Sequence, residues 1–390
     1  TEYAVTELPY HLLALSEEQE LALGIDRFAW EGRHEVAGRI ANWLSSNSLP
    51  EATTWWRWIL GNNERWFGVE HPVTMTSLNN LGVELQRQGD LSGARQILES
   101  ALVIKEKVFG AEHSNTAASR NNLGVLLQQQ GDLLGALPLL ESALAIREKA
   151  CGADHPETAD SLNNLAGLLR DQGDLLGARP LLERALVIRE KEQSAEDTAV
   201  SLSNLAILLQ GLGDLSGARP LFERALAIHE EVHGAEHYQT ARSLDSLAVL
   251  LYKQGDLLGA RPLLERALAI FEKVLCADDP ETADSLNHLG VLLEAQGDLS
   301  SARQFYERAL AIREKVRGAE HPETADSLNN LGRVLQYQGD LSGARPLFER
   351  ALAIREKELG AEHPKTTDSL NNLGVVLLNQ GDLSGARPLL

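Results

Sequence analysis

An all-α solenoid is the fold class that three features of this 390-residue chain predict. A Gly-Asp pair recurs at Gly89, Gly131, Gly173, Gly213, Gly255, Gly297, Gly339 and Gly381, at intervals of 42, 42, 40, 42, 42, 42 and 42 residues. Each interval holds two stretches with apolar residues at helical spacing, one on either side of the pair. The composition is 43% apolar, enough for packed helices and too much for a disordered chain. A fixed period in this range marks an array of small units, each burying its apolar face only against its neighbours.

Residues 1–30 precede the clear repeats. Leu8-Pro9-Tyr10-His11-Leu12-Leu13-Ala14-Leu15 and Leu21-Ala22-Leu23-Gly24-Ile25 read as short apolar helices, broken at Gly24, forming a linker or N-terminal cap. Residues 31–72 read as a degenerate first repeat. Asn47-Ser48 stands where later units have Gly-Asp, Leu49 and Ala52 match Leu91 and Ala94, and His71-Pro72 ends the unit. Trp43, Trp55, Trp56 and Trp58 fall at its core positions, as suits a terminal unit that closes one end of a stack. An aromatic ligand pocket is the other reading of the same residues.

Residues 73–390 hold eight repeats, the last truncated. The first helix of a unit, helix A, opens at His-Pro-Glu-Thr, as in His155-Pro156-Glu157-Thr158. Proline at the first helical position loses no hydrogen bond, and the glutamate after it faces the positive end of the helix dipole. Leu162, Leu165, Ala166, Leu168 and Leu169 then give a broad apolar stripe able to meet two neighbours. Gly173-Asp174 turns the chain, with the aspartate available as a cap. Helix B follows with Leu175, Ala178, Leu182, Ala185, Leu186 and Ile188, and ends in the charged run Arg189-Glu190-Lys191. Pro138, Pro180, Pro220, Pro262, Pro346 and Pro388 fall inside the helix B pattern and predict an irregular first turn or a kink. The connection from Arg189 to Leu205 is shorter than its counterparts, which predicts a change of superhelical pitch there.

The formal net charge of −20 argues against nucleic acid or an anionic membrane as partner, since both need a basic footprint. No run of apolar residues is long enough to span a bilayer, and no signal peptide is visible. Cys151 and Cys276 lie in connections three repeats apart, too far to bridge, and read as free thiols of a cytoplasmic protein. The start at Thr1 and the stop at Leu389-Leu390 read as a piece of something longer. The apolar end at Leu389-Leu390 is a candidate for end-to-end self-association.

The Leu-Gly or Leu-Ala pair, the Gly-Asp turn and alanines seven apart, such as Ala136 and Ala143, resemble the tetratricopeptide repeat. The 42-residue version carrying Asn-Asn-Leu, Arg-Ala-Leu-Ala-Ile-Arg-Glu-Lys and Gly-Ala-Glu-His-Pro is similar to the kinesin light chain class, and covers residues 73–390 almost completely. That resemblance implies antiparallel helix pairs stacked in a right-handed superhelix. It also implies that helix A lines a concave groove that binds a peptide or protein segment. The two short apolar segments of residues 1–30, followed by a degenerate repeat, resemble the junction ahead of the repeats in bacterial STAND-type NTPases, where an NB-ARC or NACHT-like switch precedes a repeat sensor. The sequence has no Gly-x-x-x-x-Gly-Lys-[Ser/Thr] phosphate loop, so this second resemblance implies the sensor part alone.

Candidate ligand-binding residues follow from helix A. Asp160, Asn163, Gly167 and Arg170 share a face apart from the apolar stripe. The first asparagine of Asn-Asn recurs as Asn79, Asn121, Asn163, Asn287, Asn329 and Asn371, replaced by Ser203 and Asp245 in two units. The second recurs as Asn80, Asn122, Asn164, Asn204, Asn330 and Asn372, replaced by Ser246 and His288. Amides donate and accept at once, which suits an extended peptide backbone. Satisfying the repeats' own polar groups, or facing water, is the other reading, and the favoured one for the second asparagine. The units depart most from one another at Arg170, Arg242, Asp245, Tyr252, Lys253, Glu294, Arg333 and Tyr337, all expected on or beside this face. Arginine and aromatic residues are typical interface anchors, and drift on an exposed face is the alternative. Arg120 takes a place that other units give to leucine, so it either snorkels or distorts its surroundings. The recurrent histidines, one per connection, cannot converge on one metal and read as helix-start residues. The glutamates and arginines of helix B, such as Glu183 and Arg184, read as a solvated face.

No nucleophile–base constellation can be assembled, so the sequence predicts a non-catalytic interaction module with no cofactor and no metal. Its partner is a protein or peptide segment in the groove, and its context the ligand-sensing region of a larger STAND-type signalling or defence protein. A kinesin-light-chain-like cargo adaptor or assembly scaffold, and the regulatory domain of a fused effector enzyme, are the alternatives.

Overall fold

In the computed structural model of the chain, residues 34–46, 51–275 and 278–389 are described. Among them there are only helices, connected by short turns, and no strand. The chain divides at Gln193 into two compact units. The division falls within the short connection noted above, where Gln193 caps its helix in the left-handed region at φ 61°. Nothing is described for residues 1–30, Asn47, Ser48 or Cys276; Cys151 is a free thiol.

The first unit contains α1 (His34–Ser46), α2 (Glu51–Phe67), α3 (Pro72–Arg87), α4 (Leu91–Phe109), α5 (Ser114–Gln129), α6 (Leu133–Ala150), α7 (Pro156–Asp171) and α8 (Leu175–Glu192). The second contains α9 (Ala195–Gly211), α10 (Leu215–His233), α11 (Tyr238–Lys253), α12 (Leu257–Val274), α13 (Pro280–Ala295), α14 (Leu299–Val316), α15 (Pro322–Tyr337), α16 (Leu341–Leu359), α17 (Pro364–Asn379) and the short α18 (Leu383–Ala386). Odd-numbered helices are helix A of their repeat and even-numbered ones helix B. Within each unit every helix packs on the next in sequence, and helices A also touch in the pairs α3–α5, α5–α7, α11–α13, α13–α15 and α15–α17.

Both ends of each repeat are written into the sequence. The Gly-Asp glycines adopt φ near +80°, as Gly89 at 84° and Gly173 at 85° show, a conformation that costs glycine nothing. The aspartate after each then caps helix B, Asp174 Oδ1 accepting from Gly177 N at 2.9 Å. Helix A is capped by the connection's histidine. His155 Nδ1 accepts from Glu157 N at 3.2 Å and His321 Nδ1 from Glu323 N at 3.2 Å, with Asp279 taking the same part at 2.9 Å from Glu281 N. These histidines are helix-start residues, as read from the sequence. A threonine two turns from the connection's glycine ties it down, as Thr158 Oγ1 donates to Gly152 O at 2.8 Å.

Small residues set how closely A meets B. Gly290 lies beneath Tyr306, and a Cβ there would come within 2.6 Å of the ring. The alanines of the repeats, among them Ala136, Ala143, Ala178 and Ala185, are fully buried between helices.

Two expectations are corrected. The first turn of helix B is regular at five of the six prolines: α6, α8, α10, α12 and α16 each run unbroken from their aspartate cap through an internal proline, while Pro388 lies past the end of α18. Each of the five internal prolines is exposed, and a carbonyl freed one turn back on that side of the helix can be hydrated. Trp43 is 44% exposed and not a core residue. Trp55 and Trp56 are buried, Trp55 Nε1 donating to Ala37 O at 2.8 Å and its ring stacking on Trp58 at 5.0 Å. Arg120 snorkels: its guanidinium reaches Glu106 Oε1 at 2.7 Å and the Ser142 hydroxyl.

Candidate functional site

The polar face of helix A is where the repeats differ from one another, and its geometry starts from the paired asparagines. The second asparagine of one repeat donates to the first of the repeat before it. Asn122 Nδ2 reaches Asn79 Oδ1 at 2.8 Å, and Asn164 Nδ2 reaches Asn121 Oδ1 at 3.0 Å in the first unit. Asn330 pairs with Asn287 at 2.8 Å and Asn372 with Asn329 at 3.0 Å in the second. The result is a series of amide rungs running from repeat to repeat. Each rung spends one donor and one acceptor and leaves one amide nitrogen and one carbonyl oxygen with capacity to spare. Asn121 and Asn329 are buried, while Asn79, Asn163 and Asn287 are half-buried and Asn371 exposed. Ser203, at the same position, turns its hydroxyl back to Ala199 O at 2.9 Å.

One rung is ionisable. Asp245 and His288 take the two asparagine places and meet at 2.8 Å between Oδ2 and Nδ1. Burial works against the imidazolium, but Asp245, joined by Asp284, outweighs burial and the nearby Arg313, so the His288 pKa lies above its usual value. A raised pKa means that the folded state binds the proton more tightly than the unfolded chain. The rung's contribution is therefore complete below the unfolded value of about 6.5 and is lost as pH rises through the folded value. Melting temperatures measured across this range should fall with rising pH in the native chain relative to Asp245→Asn/His288→Asn, in which the rung carries no charge. A difference between the two that does not vary with pH would remove the proton from the rung.

The remaining predicted residues separate into engaged and open groups. Arg333 makes a two-pronged pair with Glu294, at 2.6 and 2.8 Å, and Glu294 also accepts from the buried Tyr306 hydroxyl at 2.9 Å. The hydrogen bonds that Arg333 donates to Glu294 raise its pKa above the usual value, and burial above all raises that of Tyr306. Arg242 stays half-exposed, with its guanidinium 5.8 Å from the centre of the Tyr238 ring and its Nε 3.9 Å from Glu281. Burial and Glu281, which accepts from the Tyr238 hydroxyl at 3.0 Å, push the Tyr238 pKa to about 12. Arg170 leans on its neighbour Asp171 at 3.3 Å. Tyr337 is 60% exposed, Lys253 is exposed and Tyr252 half-buried. Apolar residues lie one turn beyond the rungs: Val83 and Val125 in the first unit, and Ile207, Val249 and Val291 in the second, partly or largely exposed.

Sequence reasoning missed a second periodic feature, on helix B. The arginines of Arg-Glu-Lys are buried, and Arg147, Arg313 and Arg355 each fasten one repeat to the next. Arg313 Nη1 donates to Glu323 O at 3.1 Å and to Ser327 Oγ at 2.8 Å, and its Nη2 to Asp284 at 2.6 Å. Arg355 repeats the pattern with Lys365 O, Ser369 and Asp326, and Arg147 with Glu157 O and Ser161. The signal was a serine fourteen residues after each such arginine. His229 takes the position once, meeting Ser243 Oγ at 2.7 Å. Phe271 takes it once and leaves the Ser285 hydroxyl buried without a partner. Lys105, in the first full repeat, is buried there, and burial lowers its pKa. Other helix B charges are the solvated pairs expected, such as Arg179 with Glu183 at 2.7 Å, each about half exposed.

Among the described residues, Cys151, His155 and Glu157 bring three donor atoms within 4.8 Å of one another. His155 Nδ1 already accepts the helix-capping N–H, and Arg147 Nε lies 3.7 Å from Glu157. Cap and ion pair thus account for the cluster.

Paired helices in tandem, most of them capped and fastened by recurring residues and presenting a polar face with anchor residues, define a helical-repeat binding protein. The tetratricopeptide repeat model matches residues 73–149, 115–191, 197–273, 246–315, 281–357 and 323–390, and the chain belongs to that family of protein-binding repeats. No curated protein sequence matches it. Among solved structures, it is similar to putative kinesin light chain nearly identical TPR-like repeats from Podosopora anserina, at 29% identity over 53% of this chain and 98% of that one, with a TM-score of 0.45. It is similar also to a STAND protein with a tetratricopeptide repeat sensor from Pyrococcus horikoshii, at 14% identity over 90% of this chain and 50% of that one, TM-score 0.61. A third is the apo form of the quorum sensor NprR from B. thuringiensis, at 13% identity over 92% and 96%, TM-score 0.65. The last two share the fold. Among the described residues, no helix is long and apolar enough to cross a membrane.

Proposed function

We propose that this chain is a ligand-sensing repeat region that binds an extended peptide or protein segment along its helix A faces. The observation that carries this is the set of amide rungs. Asn79, Asn121, Asn287 and Asn329 are each held by the asparagine of the following repeat, so their spare donors and acceptors are fixed before a ligand arrives and little side-chain entropy is lost on binding. Asn79, Asn121, Asn163, Asn287, Asn329 and Asn371 hold the ligand backbone. Arg170, Arg242, Tyr252 and Tyr337 select its side chains. Arg333, Asp245 and Glu294 act from within ion pairs and shape the face rather than reach for the ligand. A net charge of −20 favours a ligand with basic residues.

The larger context proposed is a STAND-type signalling protein in which binding here releases a switch module. Its support is the junction-like residues 1–30 and a fold shared with sensor proteins. A Gly-x-x-x-x-Gly-Lys phosphate loop in the coding sequence upstream of Thr1 would support it; an upstream heptad coiled coil would favour the adaptor.

The binding face is tested with peptides selected from a displayed library of extended sequences. Tyr252→Ala with Tyr337→Ala is expected to weaken a selected peptide by about tenfold or more, the usual loss for aromatic anchors. The melting temperature should change little, because Tyr337 is exposed and Tyr252 only half-buried. Unchanged affinity in calorimetric titration would move the site off this face.

A further inference from the structure

The amide ladder of the first unit has an unfinished end. Asn80 is a second asparagine, and in the rungs above such a residue donates to a first asparagine one repeat earlier. The earlier helix is α1. Its buried Ala37, Ala41 and Leu44 have the spacing of the buried Leu78, Gly82 and Leu85 in α3, which brings Gly38 to the place of Asn79. The side chain that would complete the rung is therefore missing, and a Cβ built on Gly38 would meet nothing within 4 Å. In its place lies a cavity of about 390 Å³, lined by Glu35, Gly38, Arg39, Trp56, Asn63 and Asn80, among others.

The lining decides what fits. Thr76 and Ser77 border the cavity, but their hydroxyls donate to Pro72 O at 3.0 Å and Val73 O at 3.1 Å. Asn63 Nδ2 is spent on Ser77 Oγ at 2.8 Å. Asn80 has no hydrogen bond among the described residues, and Glu35 and Arg39 no ion pair. A donor on α3 and a carboxylate on α1 thus border one open space.

We propose that this cavity is a subsite for a primary carboxamide of the ligand, which supplies the half-rung that Gly38 lacks. The ligand's carbonyl oxygen accepts from Asn80, and its NH2 donates to Glu35. A carboxylate offers no N–H to Glu35 and, although Arg39 attracts it, brings a second negative charge against the Glu35 carboxylate. The subsite rests on the helix A face being the ligand surface, and it would seat an asparagine or glutamine side chain, or an amidated terminus.

Acetamide and acetate, nearly equal in shape, are the probes, followed through the Asn80 side-chain amide resonances of the full chain. Acetamide is expected to shift them saturably, and acetate to bind about tenfold more weakly, because only acetamide offers an N–H to Glu35. Glu35→Gln should narrow that gap. Gly38→Asn should abolish acetamide binding and raise the melting temperature, because the chain then completes its own rung. N-acetylasparagine methylamide, N-acetylglutamine methylamide and N-acetylglycinamide distinguish the three sources. Equal or tighter acetate binding, no saturable shift, or unaltered binding in Gly38→Asn would overturn the subsite. A selected peptide that binds the Gly38→Asn chain as well as the native one removes the subsite and keeps the face. Loss of peptide affinity in neither Gly38→Asn nor the double tyrosine variant removes both.

Discussion

Arg313→Met is expected to lower the stability of the second unit by about 3 kcal/mol. Methionine keeps the volume of the stem and removes the guanidinium alone. The Ser327 hydroxyl, fully buried, and the Glu323 carbonyl then lose their donor together, and each unsatisfied buried group costs about 1–3 kcal/mol. Asp284 is half-exposed and simply returns to water, so it adds little. Urea unfolding of native and variant chains checks this. A midpoint shift that matches Arg303→Met, whose guanidinium pairs with Glu307 on the surface, would mean that burial of the Arg313 contacts contributes nothing.

Glu294→Ala is expected to cost about 3–5 kcal/mol, the range for removing one partner of a buried ion pair. Glu294 is 12% exposed on its side chain and serves two groups, the Arg333 fork and the Tyr306 hydroxyl. Alanine leaves a partly buried cation and a fully buried phenol without an acceptor. Adding Tyr306→Phe to Glu294→Ala should recover part of the loss, since the phenol no longer needs a partner. Thermal unfolding of the single and double variants provides the test, and a double variant less stable than Glu294→Ala would show that the phenol does not depend on this carboxylate. Glu294 and Arg333 stood out in the sequence as exceptions on the groove face and looked like ligand contacts. Together they make a local brace, and the exposed Tyr337 beside them is the better candidate to meet a ligand.

The sequence exposes its architecture because the architecture is local. The Gly-Asp turn, the histidine cap and the alanines at helix crossings each act within a few residues, so period and residue type reveal them. The rungs were half legible. The paired asparagines announced themselves, but Asn122 finds its partner in Asn79, in the neighbouring repeat, and no single unit contains that contact. The buried arginines were misread for a different reason. A run such as Arg189-Glu190-Lys191 looks solvated by composition, yet Arg189 turns inward to Asp160 of helix A in its own repeat, while Lys191 stays exposed. The prolines were judged by their cost inside a helix, whereas their exposure lets water take the freed carbonyl.

The rungs have one further property. In each unit the amide pairs all point the same way, the later repeat giving its proton to the earlier one. A row of identical dipoles set head to tail has a sense, as a comb has teeth that slant. A strand laid along it N-to-C and the same strand laid C-to-N would not match it equally, so a ligand bound as proposed would be told apart by the direction of its backbone as well as by its side chains.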